Sequence, residues 1–135
     1  MINKKIINIA SNTKYHGLRN IFTHKSQNKN KTCGDMIKME INIKNKKIRN
    51  MRYETESCIL CEASASILAK KINKFSLKTI NEDMQIMSRA IKEKQYKLPV
   101  KFKDFRDVVN SNNLNRIDCV MLPFKTLLKA FKKTL

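Results

Sequence analysis

Residues 36–66 read MIKMEINIKNKKIRNMRYETESCILCEASAS, and a change of period inside this stretch decides the fold. Over 36–43, Ile37, Met39, Ile41 and Ile43 fall on one face and Lys38, Glu40 and Asn42 on the other. A repeat of two marks a half-buried strand, because successive side chains leave opposite sides of the backbone. Lys44-Asn45-Lys46-Lys47 then predicts a turn, with Asn45 suited to positive φ. A second strand follows over 48–55, with Met51 and Tyr53 on one face, so the pair forms a hairpin. From Ile59 the period lengthens. Ala63, Ser64, Ala65 and Ser66 are small, and Ile67, Leu68 and Ile72 carry a helix to about residue 74. Small side chains let such a helix lie close against a sheet.

Downstream the helical period persists. Ser76 is suited to cap a helix over 77–94, where Leu77, Ile80, Met84, Met87 and Ile91 share a face. Pro99 interrupts the chain, 102–110 predicts a short helix around Phe102, Phe105 and Val109, and the Asn-rich 110–115 predicts a loop. A last helix is expected over 119–133, with Val120, Phe124, Leu127, Leu128 and Phe131 inward. Upstream, 1–31 is polar and irregular apart from a short helix expected over 4–10, and 28–32 reads as an exposed loop. Strands followed by helices predict an α+β domain, with residues 1–135 as a single unit.

Composition narrows the function classes. The 135 residues contain two Gly and two Pro, which argues against collagen and turn-dense β-sandwiches. No apolar run approaches the roughly 20 residues of a membrane span, and Met1 to Ala10 has neither a long apolar core nor a cleavage site, so a soluble cytoplasmic protein is expected. Lys and Arg number 29 against 11 Asp and Glu, a net charge of +18. Such an excess favours non-specific phosphate contacts at low salt. The lysines are spread along the chain without interleaved aromatics, and Lys, Asn and Ile together are what an AT-rich coding sequence supplies. Nucleic acid is therefore not expected as a specific partner. A basic nucleic-acid-binding module stays as a third reading, and it predicts steep salt dependence with no loss of affinity in Cys119→Ser.

The four cysteines carry the chemistry: Cys33, Cys58, Cys61 and Cys119. Cys33 stands between loop and strand, followed by Gly34 and Asp35; Cys58 stands between strand and helix; Cys119 opens the last helix. Helix N-termini favour a thiolate over a thiol, and thiolates bind zinc, iron and iron–sulfur clusters. Three thiols and one carboxylate are thus expected at one end of the sheet, although a free cysteine is also an ordinary small core residue. Cys58-x-x-Cys61 lacks the second pair of a zinc ribbon and the βαβ setting of a thioredoxin-like site.

Thr32-Cys33-Gly34-Asp35, the hairpin, Cys58, the Ala63-Ser64-Ala65-Ser66 helix start and Arg116-Ile117-Asp118-Cys119, in that order, resemble the IscU/NifU/SufU family of iron–sulfur cluster assembly proteins. The resemblance covers about 30–74 and 114–133. It implies an antiparallel sheet of three strands packed by helices, with the extra edge strand in 21–31. It implies Cys33, Asp35, Cys58 and Cys119 as the ligands of a [2Fe–2S] cluster or iron, and as partners a cysteine desulfurase and iron–sulfur acceptor proteins. Cys61 falls where the family pattern requires no cysteine.

The spacing of Cys58 and Cys119 looks like the SufU branch, which implies the alternative of a zinc-dependent sulfurtransferase with Zn²⁺ on the same four residues and Cys119 as sulfur acceptor. Whether the chain is a scaffold or an enzyme stays open at this point. Asp118 stands where IscU-type chains carry a histidine. Leu98-Pro99-Val100-Lys101 resembles their chaperone-recognition run but lies far upstream of Cys119 and is one proline short, so it reads as fortuitous. The family's N-terminal Asn-Pro-Arg segment is reduced to Asn12-Thr13-Lys14-Tyr15-His16-Gly17, and His16 and His24 read as surface residues.

Overall fold

The computed structural model describes residues 4–31, 34–76, 78–92, 98, 100–109 and 116–131. Three antiparallel strands, β1 (His24–Lys29), β2 (Met36–Lys44) and β3 (Lys47–Glu56), form a sheet in the order β1-β2-β3. Ile37, Met39 and Ile41 are wholly buried, with Ile48, Met51 and Tyr53 beside them, as the period of two requires. Ile43 is half-buried, where the register shifts between Asn42 and Ile43. Lys44 pairs with Lys47, and both intervening residues have positive φ, Asn45 at 55° and Lys46 at 64°. A two-residue connection with that backbone matches the twist of its strands.

Glu40 departs from expectation. It lies on the polar face of β2 yet is 1% exposed. The chain between α1 (Lys4–Ala10) and β1 folds back across that face. Glu40 Oε1 accepts the N–H of Arg19 at 2.8 Å and of Asn20 at 3.1 Å. Opposite it on β3, Arg52 donates to the carbonyls of Lys14, His16 and Gly17. The two charged side chains hold the 12–20 segment against the sheet by satisfying backbone groups that would otherwise need water.

Helices cover the other face. α2 (Ile59–Lys70) buries Leu60, Cys61 and the unbroken run Ala63 to Ala69. It packs between α1 and α4 (Ile117–Phe131), and Ser64 donates to the Val120 carbonyl at 2.7 Å. α2 ends earlier than its apolar pattern predicts, with a 3₁₀ turn over Ile72–Lys74 in place of the last turn. α3 (Ile80–Lys92) begins later than expected, because Ser76 forms a β-bridge with Lys47 and its carbonyl accepts the N–H groups of Thr79 and Ile80. Leu77, Pro99, residues 93–94 and the 110–115 loop lie outside the described residues.

The short helix expected over 102–110 is a 3₁₀ segment, Val100–Phe105. Phe102 packs against Phe75 and Phe124, and Phe105 against Phe124, at centroid distances of 4.8–6.2 Å. α4 starts two residues before Cys119 and contains Pro123. A helical proline has no N–H for the carbonyl four residues back, which here is that of Cys119. Among the described residues no helix is long and apolar enough to cross a membrane.

Candidate metal centre

The β1–β2 loop, the end of β3, the start of α2 and the start of α4 meet at one end of the sheet. The loop is closed on itself: Asn30 N–H bonds the Asp35 carbonyl and Gly34 N–H the Asn30 carbonyl, both at 2.7 Å. Gly34 has φ 78°, a conformation that costs any other L-residue strain. This turn delivers Asp35 inward, where it is 6% exposed. Its Oδ1 accepts the Cys58 N–H at 3.1 Å, while its Oδ2 is buried with no hydrogen-bond partner among the described residues.

Cys58 is the N-cap of α2, with extended backbone (φ −68°, ψ 162°), yet its side chain caps no helical N–H. Cys119 lies in the first turn of α4 and is 7% exposed. The ligand atoms of Asp35, Cys58 and Cys119 all fall within 4.8 Å of one another. The N-termini of α2 and α4 thus both border the three donor atoms. Leaving a carboxylate oxygen buried and unpaired costs roughly 1–3 kcal/mol or more. A cation at this point satisfies it together with both thiolates, so the residues present fit a metal. Two sulfurs and one oxygen suit zinc or iron; calcium and magnesium prefer all-oxygen sites.

Of the residues singled out in the sequence, Asp35, Cys58 and Cys119 come together, and Cys33 lies outside the described residues. Cys61 is 0% exposed in the core and does not belong to the cluster. Asp118 is exposed beside Lys31 and Lys125. The histidines are not simple surface residues: each is half-buried, with His16 edge-on to Tyr53 at 5.5 Å and His24 edge-on to Phe131 at 6.1 Å. Lys101 has a structural partner, donating to buried Asp83 at 2.6 Å over the Phe75 ring. The Asp35–Cys58 backbone bond was not foreseen. The role of Glu40 was not foreseen either, although an opposite-charge pair with Arg52 in mid-hairpin was a readable signal.

Comparison with known proteins concerns the chain as a whole. Residues 1–132 match the family model described as the NifU-like N terminal domain. The chain is 26% identical over 138 residues to the iron–sulfur cluster assembly scaffold protein IscU of Thermotoga maritima, covering 98% of this chain and 94% of that one. It is 27% identical over 105 residues to the zinc-dependent sulfurtransferase SufU of Bacillus subtilis, covering 77% and 71%. A solved NifU-like N-terminal structure from Brucella abortus superposes with a TM-score of 0.84 at 20% identity, covering 97% of this chain and 92% of the other.

Proposed function

This chain belongs to the NifU-like N-terminal domain family of iron–sulfur cluster assembly scaffolds, and we propose that it assembles a [2Fe–2S] cluster and passes it to acceptor proteins. The observation that carries this reading is the buried Asp35 carboxylate, with Oδ2 unpartnered among the described residues and an oxygen within 4.8 Å of two thiol sulfurs. Cys33, two residues before Asp35, completes the set as a third thiolate. A carboxylate is a harder and weaker ligand than a thiolate for iron bound to sulfide. Three thiolates and one carboxylate therefore hold the cargo at one readily exchanged corner. Asp35 is fixed through Oδ1 by the Cys58 N–H, so Oδ2 can release and rebind without the side chain leaving its place. A cysteine desulfurase supplies the sulfur, and the site works in the cytoplasm.

The likeness to a zinc-dependent sulfurtransferase supports a second reading, with zinc on the same four residues. Here the Cys119 thiolate attacks the outer sulfur of a donor persulfide. The donor S–S bond breaks, the donor cysteine leaves as thiolate, and Cys119 carries the persulfide.

Metal and acid-labile sulfide content of protein purified without oxygen separates the two. Iron with matching sulfide supports the scaffold. Near-stoichiometric zinc without sulfide supports the sulfurtransferase, and protein without metal or sulfide that takes up neither on reconstitution overturns both.

A further inference from the structure

The seam between β1 and α4 is lined by lysines from both elements. Lys25 and Lys129 border its outer part, a groove of about 350 Å³. Lys29, Lys31 and Lys125 border its inner part, about 300 Å³, together with Asp118, the residue before Cys119. All five lysines are exposed, and among the described residues none forms an ion pair with a carboxylate. Lysines on an edge strand discourage strand addition. That accounts for Lys25 and Lys29, and Lys129 ties α4 to β1 by donating to the Gln27 carbonyl at 2.9 Å, but neither role accounts for Lys125, which borders the groove from α4 beside Lys29 and Lys31. Five cations against one carboxylate repel one another when the groove is empty. Three of them, Lys29, Lys31 and Lys125, share the part that holds Asp118, next to Cys119 of the metal centre, where an exchanging protein must approach.

We propose that this seam docks an acidic segment of the protein partner that exchanges sulfur or metal with the Asp35–Cys58–Cys119 centre. The docking site rests on the reading above only for the partner's task; its location and charge stand on the seam itself. A protein segment fits better than a nucleic acid. One exposed ring, Phe22 beside Lys25, lies near the groove, too few for successive bases to stack on, and Asp118 would face a phosphate chain directly.

The test uses the zinc-loaded full chain, a fluorescein-labelled oligoglutamate peptide and an equally charged labelled oligothymidylate, followed by anisotropy at about 50 mM salt. The seam variant K29E/K31E/K125E is compared with K44E/K47E/R49E at the exposed hairpin end, which carries the same change in net charge. Melting curves confirm that both fold, and zinc retention is read on both. The seam variant should weaken peptide binding by about tenfold or more and the hairpin variant by less than about twofold. Equal losses would assign the binding to overall charge and overturn the proposal. Tighter binding of the oligonucleotide through the same lysines would overturn it in favour of nucleic acid, and absence of peptide binding would overturn it outright. Should the wild-type chain hold no metal while the seam still selects the peptide, the assembly reading fails and the docking surface stands.

Discussion

Asp35 divides its two oxygens between different tasks, and the division shows which residues the site depends on. Oδ1 is committed to Cys58 N–H and Oδ2 is open to a ligand. Cys58→Ser and Cys119→Ser each remove a thiolate, so each is expected to lower zinc retention against a competing chelator by about a hundredfold. Cys61→Ser should leave retention within about twofold and cost about 1–3 kcal/mol of stability, measured in urea, because it buries a hydroxyl in the core. If Cys61→Ser loses the metal and Cys58→Ser keeps it, the assignment is wrong. At this scale the sequence singled out three of the residues that the structure brings together, since thiols beside a glycine turn and at helix starts are unusual neighbours. Their positions at loop and helix boundaries suggested convergence at one end of the sheet but not the path that achieves it. Cys119 reaches the site only because α4 crosses β1 and packs on α2, a tertiary fact with no local signal.

Among the elements, legibility followed the strength of the period. The hairpin alternates cleanly and formed where it was expected. β1, His24–Lys29, buries only Ser26 fully, so an edge strand polar on both faces offered no pattern to read. Glu40 obeyed the alternation but was covered by a loop that periodicity cannot describe. Glu40→Gln should release the Arg19–Asn20 segment and cost about 1–3 kcal/mol in urea unfolding, because a carboxylate accepting two N–H groups becomes a poorer acceptor with an unpaired amide. An unchanged midpoint would mean that the loop is held by Arg52 alone. The 3₁₀ turn after α2 is tied to the Val100–Phe105 segment by Lys74 and Asp104, 3.0 Å apart. Burial raises the Asp104 pKa. The Lys74 hydrogen bond, with the charges of Lys74, Lys71 and Lys103, outweighs it and sets the value below 3.8. A depressed carboxylate stabilises the fold above its unfolded pKa, and that contribution is lost as pH falls through the folded value. Asp104→Asn should therefore flatten the fall in stability below about pH 4. An unaltered acid limb in parallel denaturation curves would contradict the linkage.

Over the whole molecule, the charge of +18 is the dominant long-range term. Three ion pairs are formed among the described residues, so most of the cations face solvent and one another. Self-repulsion is screened over about 10 Å at 0.1 M salt. The melting temperature should accordingly rise by a few degrees between about 20 mM and about 300 mM sodium chloride. A flat or falling dependence in calorimetry would show that the lysines are too dispersed to oppose folding. The α+β architecture was legible at this scale because strands and helices occupy separate parts of the chain. The route of the 12–23 segment across the sheet was not, because the Glu40–Arg52 pair marks a charged spot in mid-hairpin without saying which backbone atoms it holds.

Pro123 brings no N–H into the first turns of α4, while the Ser64 hydroxyl holds the Val120 carbonyl from α2. The turn that carries Cys119 is thus tied down from outside its own helix. A grip on the Cys119 sulfur adds a second tie, and amide exchange across Ile117–Leu122 would slow when the grip is made and quicken when it is released.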